Sequence, residues 1–211
     1  MKPEYHDFHT HSETAGDGVI RLVCVEPGRR AASPFACGIH PWRSAEPDVD
    51  AELRLLERQA GAGELAAVGE IGLDRLRGAP LERQAEIFRA QLQLAARHDL
   101  PVVIHNVRCT PEILAMLEAP ERSLWHRAPS GKGNLERIVA TGAVVSFTAD
   151  GLRHVDPAAV PLEQLGLETD DGGGDIRDAF RRAAGMWQVT EAELCARLEA
   201  NFRRLFYRSN K

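Results

Sequence analysis

Eight short apolar runs alternate with segments of helical periodicity along these 211 residues, and that alternation constrains the fold more than any other feature. The runs cover residues 4–10, 19–25, 35–39, 65–70, 100–105, 123–126, 143–148 and 164–169. Eight strands alternating with helices is the count that closes a TIM (β/α)8-type barrel. The clearest helix spans 80–98, where Leu81, Ala85, Phe88, Leu92 and Ala95 form one stripe. A second spans 48–60, with Leu53, Leu55 and Leu56 inward. Thr190 and Glu193 make a capping box that opens the last helix, from which Leu194, Leu198 and Leu205 face the body.

The front of the chain departs from the ideal. Only about seven residues separate the first two runs, whereas a parallel crossover usually takes a dozen or more. The link over 26–34 is short and rich in Pro and Gly. The barrel is therefore expected to be pared down or distorted in its first two βα units. Either those units lack their helices or the second strand runs antiparallel. The length suits a single domain over residues 1–211.

Charge and cysteine content narrow the function. A net charge of -5 gives no global case for binding long nucleic acids. Residues 176–211 carry eight basic and four acidic side chains, and Arg203, Arg204 and Arg208 read as complements to a helix dipole. Cys24, Cys37, Cys109 and Cys195 form no CxxC pair, which suits a reducing, cytoplasmic setting. The N-terminus has no apolar core of a signal peptide, and no apolar run is long enough for a membrane span.

The chemistry gathers where the runs end. Side chains alternate along a strand, so Asp7, His9 and His11 fall on one side. The fourth run ends at Glu70, the fifth at His105, the sixth at His126, and the eighth leads into Asp170. Barrel active sites form at the C-terminal strand ends from several strands at once. His9, His11, Glu70, His105, His126 and Asp170 would converge there as a nitrogen and oxygen set suited to divalent ions. Six donors exceed one tetrahedral site and suit two ions about 3.5–4 Å apart sharing a carboxylate. Such a pair serves phosphoester or amide hydrolysis. Bland readings serve for the remaining candidates: His98 caps a helix, Trp42 packs at the rim, Asp7 orients a ligand histidine, and Glu64 and Glu168 are solvent- or layer-facing charges.

Together these motifs resemble the TatD-type metal-dependent hydrolases of the amidohydrolase superfamily, over nearly the whole chain. The resemblance is carried by Asp7–Phe8–His9–Thr10–His11, by Gly38–Ile39–His40–Pro41–Trp42, by Gly69–Glu70–Ile71–Gly72–Leu73–Asp74 and by Glu168–Thr169–Asp170. It implies that His9 and His11 hold a first ion with Asp170 close by. Glu70 would bridge, and His105 and His126 would hold a second ion. Asp170 would also orient or deprotonate the attacking water. His40 would sit near a bound phosphate, with Arg108 helping to hold an anion. The ions would be zinc, manganese, magnesium or nickel.

Two stretches depart from the family pattern: Arg127–Ala128–Pro129–Ser130–Gly131 after the sixth run, and Asp171–Gly172–Gly173–Gly174 after the last motif. The leading expectation is a two-metal hydrolase of phosphodiester bonds, a deoxyribonuclease-like enzyme acting on nucleic-acid ends. The alternative is the same site acting on a small phosphoester, an amide or lactone, or an aminoacyl-tRNA ester. A non-enzymatic metal-binding protein is a third reading, which six retained ligands argue against.

Overall fold

A computed structural model describes residues 4–14, 16–32, 34–171 and 174–207. Arg208 and the Gly172–Gly173 pair named above lie outside the described residues. Eight strands form one sheet in sequence order, every neighbouring pair parallel: β1 (Tyr5–Thr10), β2 (Val19–Val25), β3 (Phe35–Cys37), β4 (Ala67–Asp74), β5 (Val102–Val107), β6 (Ser123–Trp125), β7 (Val144–Phe147) and β8 (Leu165–Leu167). The Asp170 amide donates to the His9 carbonyl at 3.0 Å, so the chain beyond β8 returns to β1 and closes the barrel. Among the described residues six α-helices accompany them: α1 (Val49–Gly61), α2 (Leu81–Arg97), α3 (Thr110–Met116), α4 (Lys132–Val139), α5 (Ile176–Trp187) and α6 (Glu191–Phe206). None of the described helices is long and apolar enough to cross a membrane.

The alternatives left open for β2 resolve to a parallel strand. No helix stands among the described residues between β1 and β2, or between β2 and β3. Chain geometry permits this. Eight extended residues reach at most about 29 Å, and a six-residue strand is only about 20 Å long. The buried Arg21 guanidinium secures the short return, its Nη1 donating to the carbonyls of Ser12, at 3.1 Å, and Thr14. The second short link is held from α1. Gln59 accepts from the Gly28 amide at 2.8 Å and donates to the Arg29 carbonyl at 2.7 Å.

Buried glutamines also change the reading of α2. Its buried face is Gln84, Ile87, Phe88, Gln91, Leu94 and Ala95, whereas Leu81, Ala85 and Leu92 are only partly covered. Gln84 bonds the backbone of Asp74 through both its amide and its carbonyl, and Gln91 does the same for Ile39. Buried backbone groups must be paired, and here a polar side chain substitutes for a strand neighbour. The apolar stripe missed these positions because they are not apolar. The last helix follows its sequence closely: the capping box forms at Thr190 and Glu193, and Leu194, Leu198 and Leu205 are buried.

β4 approaches β5 closely because two of its positions have no Cβ. A Cβ on Gly69 would lie 2.5 Å from Val103 Cβ, and one on Gly72, whose φ is 149°, would collide with the His105 carbonyl. The β4–β5 register shifts between Val68 and Ile71, which brackets Glu70. Gly69→Ala should therefore lower stability by about 1–3 kcal/mol in denaturant titration. A variant as stable as the wild type would show that β4 has room to spare.

β1 divides its side chains between barrel and shell. Phe8 packs outward on Phe202 and Phe206 of α6, with centroids at 5.2 and 6.2 Å, while Asp7 and His9 face inward. His6 is buried 5.0 Å from Phe202, and burial lowers its pKa against the pull of Glu199 and Glu4. The unfolded chain therefore binds the His6 proton at a higher pH than the folded one, so stability falls as pH drops below about 6.5. His6→Leu should remove this component. Its Tm relative to wild type should rise steadily from about pH 8 to about pH 5; a pH-independent difference would contradict the assignment.

Candidate metal centre

At the C-terminal mouth of the barrel one carboxylate is surrounded by imidazoles. Glu70, 5% exposed, presents Oε1 to His105 Nδ1 at 2.6 Å, His126 Nε2 at 2.7 Å and His40 Nε2 at 3.2 Å. Its Oε2 faces His11 Nε2 at 3.4 Å and His9 Nε2 at 3.5 Å. The two oxygens thus sort five histidines into two groups. Asp170 Oδ1 joins the second group, 3.4 Å from His9 and 3.8 Å from His11. Three sets of donors lie within mutual reach of 4.8 Å: His9, His11 and Asp170; His9, Glu70 and His126; and His40, Glu70 and His105.

Donor chemistry and geometry both fit divalent cations. The set is nitrogen and carboxylate oxygen without thiolate. His9 Nε2 is buried and makes no hydrogen bond, although two carboxylate oxygens stand within 3.5 Å of it. A nitrogen aimed between two carboxylates in this way could serve as a ligand atom.

The opposite ring nitrogens also have neighbours. His9 Nδ1 lies 3.2 Å from Cys24 Sγ, His105 Nε2 lies 3.3 Å from Asp74 Oδ2, and His126 Nδ1 lies 3.7 Å from Glu168 Oε1. The first two can fix ring orientation and tautomer, whereas the third is an electrostatic contact beyond hydrogen-bond distance. Sequence reasoning assigned none of these three roles. Glu168, read as a solvent- or layer-facing charge, is buried. It accepts from Ser146 Oγ and, at 2.8 Å, from the Arg127 amide. Its sequence signal was its place at the head of the Glu168–Thr169–Asp170 motif, which gave it no role of its own. Asp74 closed a recognisable motif, and Cys24 gave no signal.

Asp7 also differs from its reading. It does not meet a histidine but accepts from the Thr169 amide at 3.0 Å and the Thr169 hydroxyl at 2.7 Å, pinning β1 to the chain beyond β8. Burial pushes its carboxyl up to about 7, against those two bonds.

Protonation follows from the same geometry. Burial acts to raise the Glu70 pKa, but the surrounding histidines, His126 foremost, hold it well below the usual carboxylate range. Burial opposes charge on His126, yet Glu70 and Glu168 raise its pKa well above that of a free imidazole. The Glu70 bond raises that of His11, whereas burial dominates at His40 and lowers it. Asp170 is drawn down despite burial, chiefly by His9 and also by Arg127.

Of the eight residues singled out, the structure gathers His9, His11, His40, Glu70, His105, His126 and Asp170. Arg108 stands apart from them, exposed on the loop after β5 in a left-handed conformation, its carbonyl accepting from Arg75 Nε at 3.1 Å. Trp42 is 47% exposed at the rim, edge-on to His40 and His105. Its Nε1 donates to Asp74 at 2.5 Å, and Arg77 lies 4.5 Å over its ring. His98 caps α2 beside Glu57 at 2.7 Å. A cavity of about 270 Å³ opens between His11, His40, Trp42 and Glu70, and another of about 260 Å³ lies beside Asp170 and Arg127.

The fold has known counterparts. The crystal structure of YjjV, a TatD homologue from Escherichia coli, superposes with a TM-score of 0.82 over 99% of this chain and 100% of that one, at 23% identity. "Deoxyribonuclease Tat-D" of Schizosaccharomyces pombe is 28% identical over 160 residues, 66% of this chain and 51% of that protein. The chain thus spans about half the length of that relative. "3'-5' ssDNA/RNA exonuclease TatD" of Yersinia pseudotuberculosis is 31% identical over 192 residues, 79% of this chain and 73% of that protein. The family model described as TatD related DNase matches residues 29–207, most of the chain, and the protein therefore belongs to the TatD-related DNase family.

Proposed function

We propose that this protein is a divalent-metal-dependent hydrolase with a two-ion site, cleaving phosphodiester bonds at single-stranded nucleic-acid ends. The observation that carries this reading is the division of five imidazoles between the two oxygens of the buried Glu70, with Asp170 on one side only. A bridging carboxylate with donors on both flanks suits two cations. His9, His11 and Asp170 would hold one ion, and His105 and His126 the other, with Glu70 shared. Zinc, manganese, magnesium and nickel all accept such donors. When bound, the ions would supply Lewis acidity toward a phosphoryl oxygen and an activated water.

The remaining chemistry belongs to the chain. Asp170 Oδ1 stands at the edge of the donor cluster with its pKa drawn down, so it is ionised and suited to orienting the attacking water as a hydrogen-bond acceptor. Cys24 and Asp74 would orient the His9 and His105 rings, and Glu168 favours the charged form of His126. His40, whose pKa burial lowers, borders the cavity beside Trp42 and suits a hydrogen bond to a phosphate oxygen as a neutral ring. The names of the fission-yeast and Yersinia relatives favour nucleic acid over the other esters and amides that such a site could take.

Cleavage of an end-labelled single strand with magnesium, manganese or zinc tests the substrate. Asp170→Asn and His9→Ala should each lower the rate by at least about 100-fold, the scale of losing a positioned acid–base group. Cleavage undiminished by both would refute the mechanism, and an inert wild type that hydrolyses small esters would move the assignment to the alternative substrates.

Metal uptake has its own signature. Glu70 raises the pKa of both His11 and His126, and each must lose its proton to bind an ion. Manganese titration in weak buffer should release protons, and affinity should climb as pH rises from about 6 to about 8. Glu70→Gln should remove most of the binding. Uptake without proton release would place the ions elsewhere.

A further inference from the structure

We propose that Arg127 is the phosphate anchor of this chain, gripping a backbone phosphate of a single-stranded nucleic acid in the cavity beside Asp170. The inference rests on the hydrolase reading above and names a residue to which that reading gives no part.

Arg127 follows the ligand candidate His126 directly, in the stretch where the sequence leaves the family pattern. Its backbone is pinned. The Arg127 amide donates to Glu168 Oε1 at 2.8 Å, and the next amide, of Ala128, donates to the Ser146 carbonyl at 3.1 Å. Its side chain, by contrast, is 65% exposed and borders the cavity of about 260 Å³, where it is the one basic group among the described lining, beside the carboxylates of Asp150, Glu168, Asp170 and Asp175. Its one side-chain hydrogen bond among the described residues runs from Nη1 to Asp170 Oδ2 at 2.9 Å.

That contact takes the carboxylate oxygen opposite the donor cluster, because Oδ1 is the atom that faces His9 and His11. The guanidinium is therefore held one carboxylate away from the reacting centre without competing for its donors. A guanidinium has five N–H donors in a planar fork that matches phosphate. One is engaged by Asp170, and the rest of the fork is presented to the cavity mouth.

Stability does not account for this arginine. Its φ of 40° lies in the left-handed region, which costs a residue with a Cβ about 1–2 kcal/mol. An ion pair this exposed contributes about 0–1 kcal/mol. Glycine or asparagine would suit the turn at least as well. Electrostatics supplies the missing reason. The cavity is lined by the carboxylates of Asp150, Glu168, Asp170 and Asp175, and Asp171 stands at the neighbouring opening, in a chain of net charge -5. A polyanionic strand entering there needs a fixed positive group beside the cleavage point.

The test is binding of a short phosphorothioate single strand, followed by fluorescence anisotropy in manganese at several salt concentrations. Wild type, Arg127→Ala and Arg127→Lys are compared, with manganese affinity measured on each. Arg127→Ala should weaken strand binding about tenfold and lower the salt slope by about 0.7, the share of one phosphate contact on a single strand, with manganese affinity unchanged. Arg127→Lys should restore most of the slope. Strand binding and slope equal to wild type in Arg127→Ala would overturn the proposal, as would a loss of manganese affinity in proportion, since Arg127 would then act only through Asp170. A lysine variant no better than alanine also counts against it. A wild type that binds no strand would overturn the nucleic-acid reading and this assignment together, whereas an unaffected Arg127→Ala overturns this assignment alone.

Discussion

Placing the Glu70 carboxylate inside a protein is the step on which the rest of this structure depends. An ionised carboxylate out of water carries a penalty of several kcal/mol unless charge and hydrogen bonds surround it. Here five imidazoles from four places in the chain supply that surrounding: His9 and His11 at the end of β1, His40 after β3, His105 on β5 and His126 after β6. Only a closed barrel whose parallel strands all finish at one rim can bring such distant residues onto one carboxylate. The same geometry makes the centre sensitive to register. A one-residue slip in β4 would turn Glu70 to the opposite face of the sheet, and Gly69 and Gly72 hold β4 tightly on β5 on either side of it.

The barrel achieves closure with less chain than its plan suggests. Two helices are replaced by tethers: Arg21 draws in the β1–β2 return, and Gln59 reaches from α1 to hold the β2–β3 link. Gln84 and Gln91 do the same for the backbone at Asp74 and Ile39, next to the site. Each tether pairs backbone groups that a longer crossover would have hydrogen-bonded within its own helix. The shortened front thus keeps its polar backbone satisfied by spending buried polar side chains rather than secondary structure.

How much of this could be read from the sequence depends on the range of the interaction. Strand count, the last helix with its capping box and the gathered histidines and carboxylates follow from local signals: alternation, caps, and apolar runs that stop at a histidine or carboxylate. The parallel direction of β2 did not, because the short first link left it open. The contacts of three residues at the centre could not be read for the opposite reason. Cys24 meets His9 across β1 and β2, Glu168 meets Ser146 and the Arg127 amide across β8, β7 and the turn after β6, and Asp74 meets His105 and Trp42. Their roles exist only once the strands are side by side. The buried glutamines of α2 failed for a related reason. A periodicity argument counts apolar positions, and these are buried because of the backbone groups they satisfy.

The two acidic residues at the reacting centre illustrate how position divides labour between like groups. Glu70 presents both oxygens to imidazoles and is enclosed on every side, which suits holding charge in place. Asp170 presents one oxygen to the cluster and the other to an exposed guanidinium, so it looks both inward to the donors and outward to the cavity. Its backbone, left-handed at φ 52° and bonded to the His9 carbonyl, fixes that orientation where the barrel closes. The closure is held as well by Asp7 on the Thr169 amide and hydroxyl. The hydrogen bonds that complete the barrel are therefore the ones that aim Asp170, and a change that loosened the β1–β8 seam would reach the chemistry through that residue before it reached the donors around Glu70.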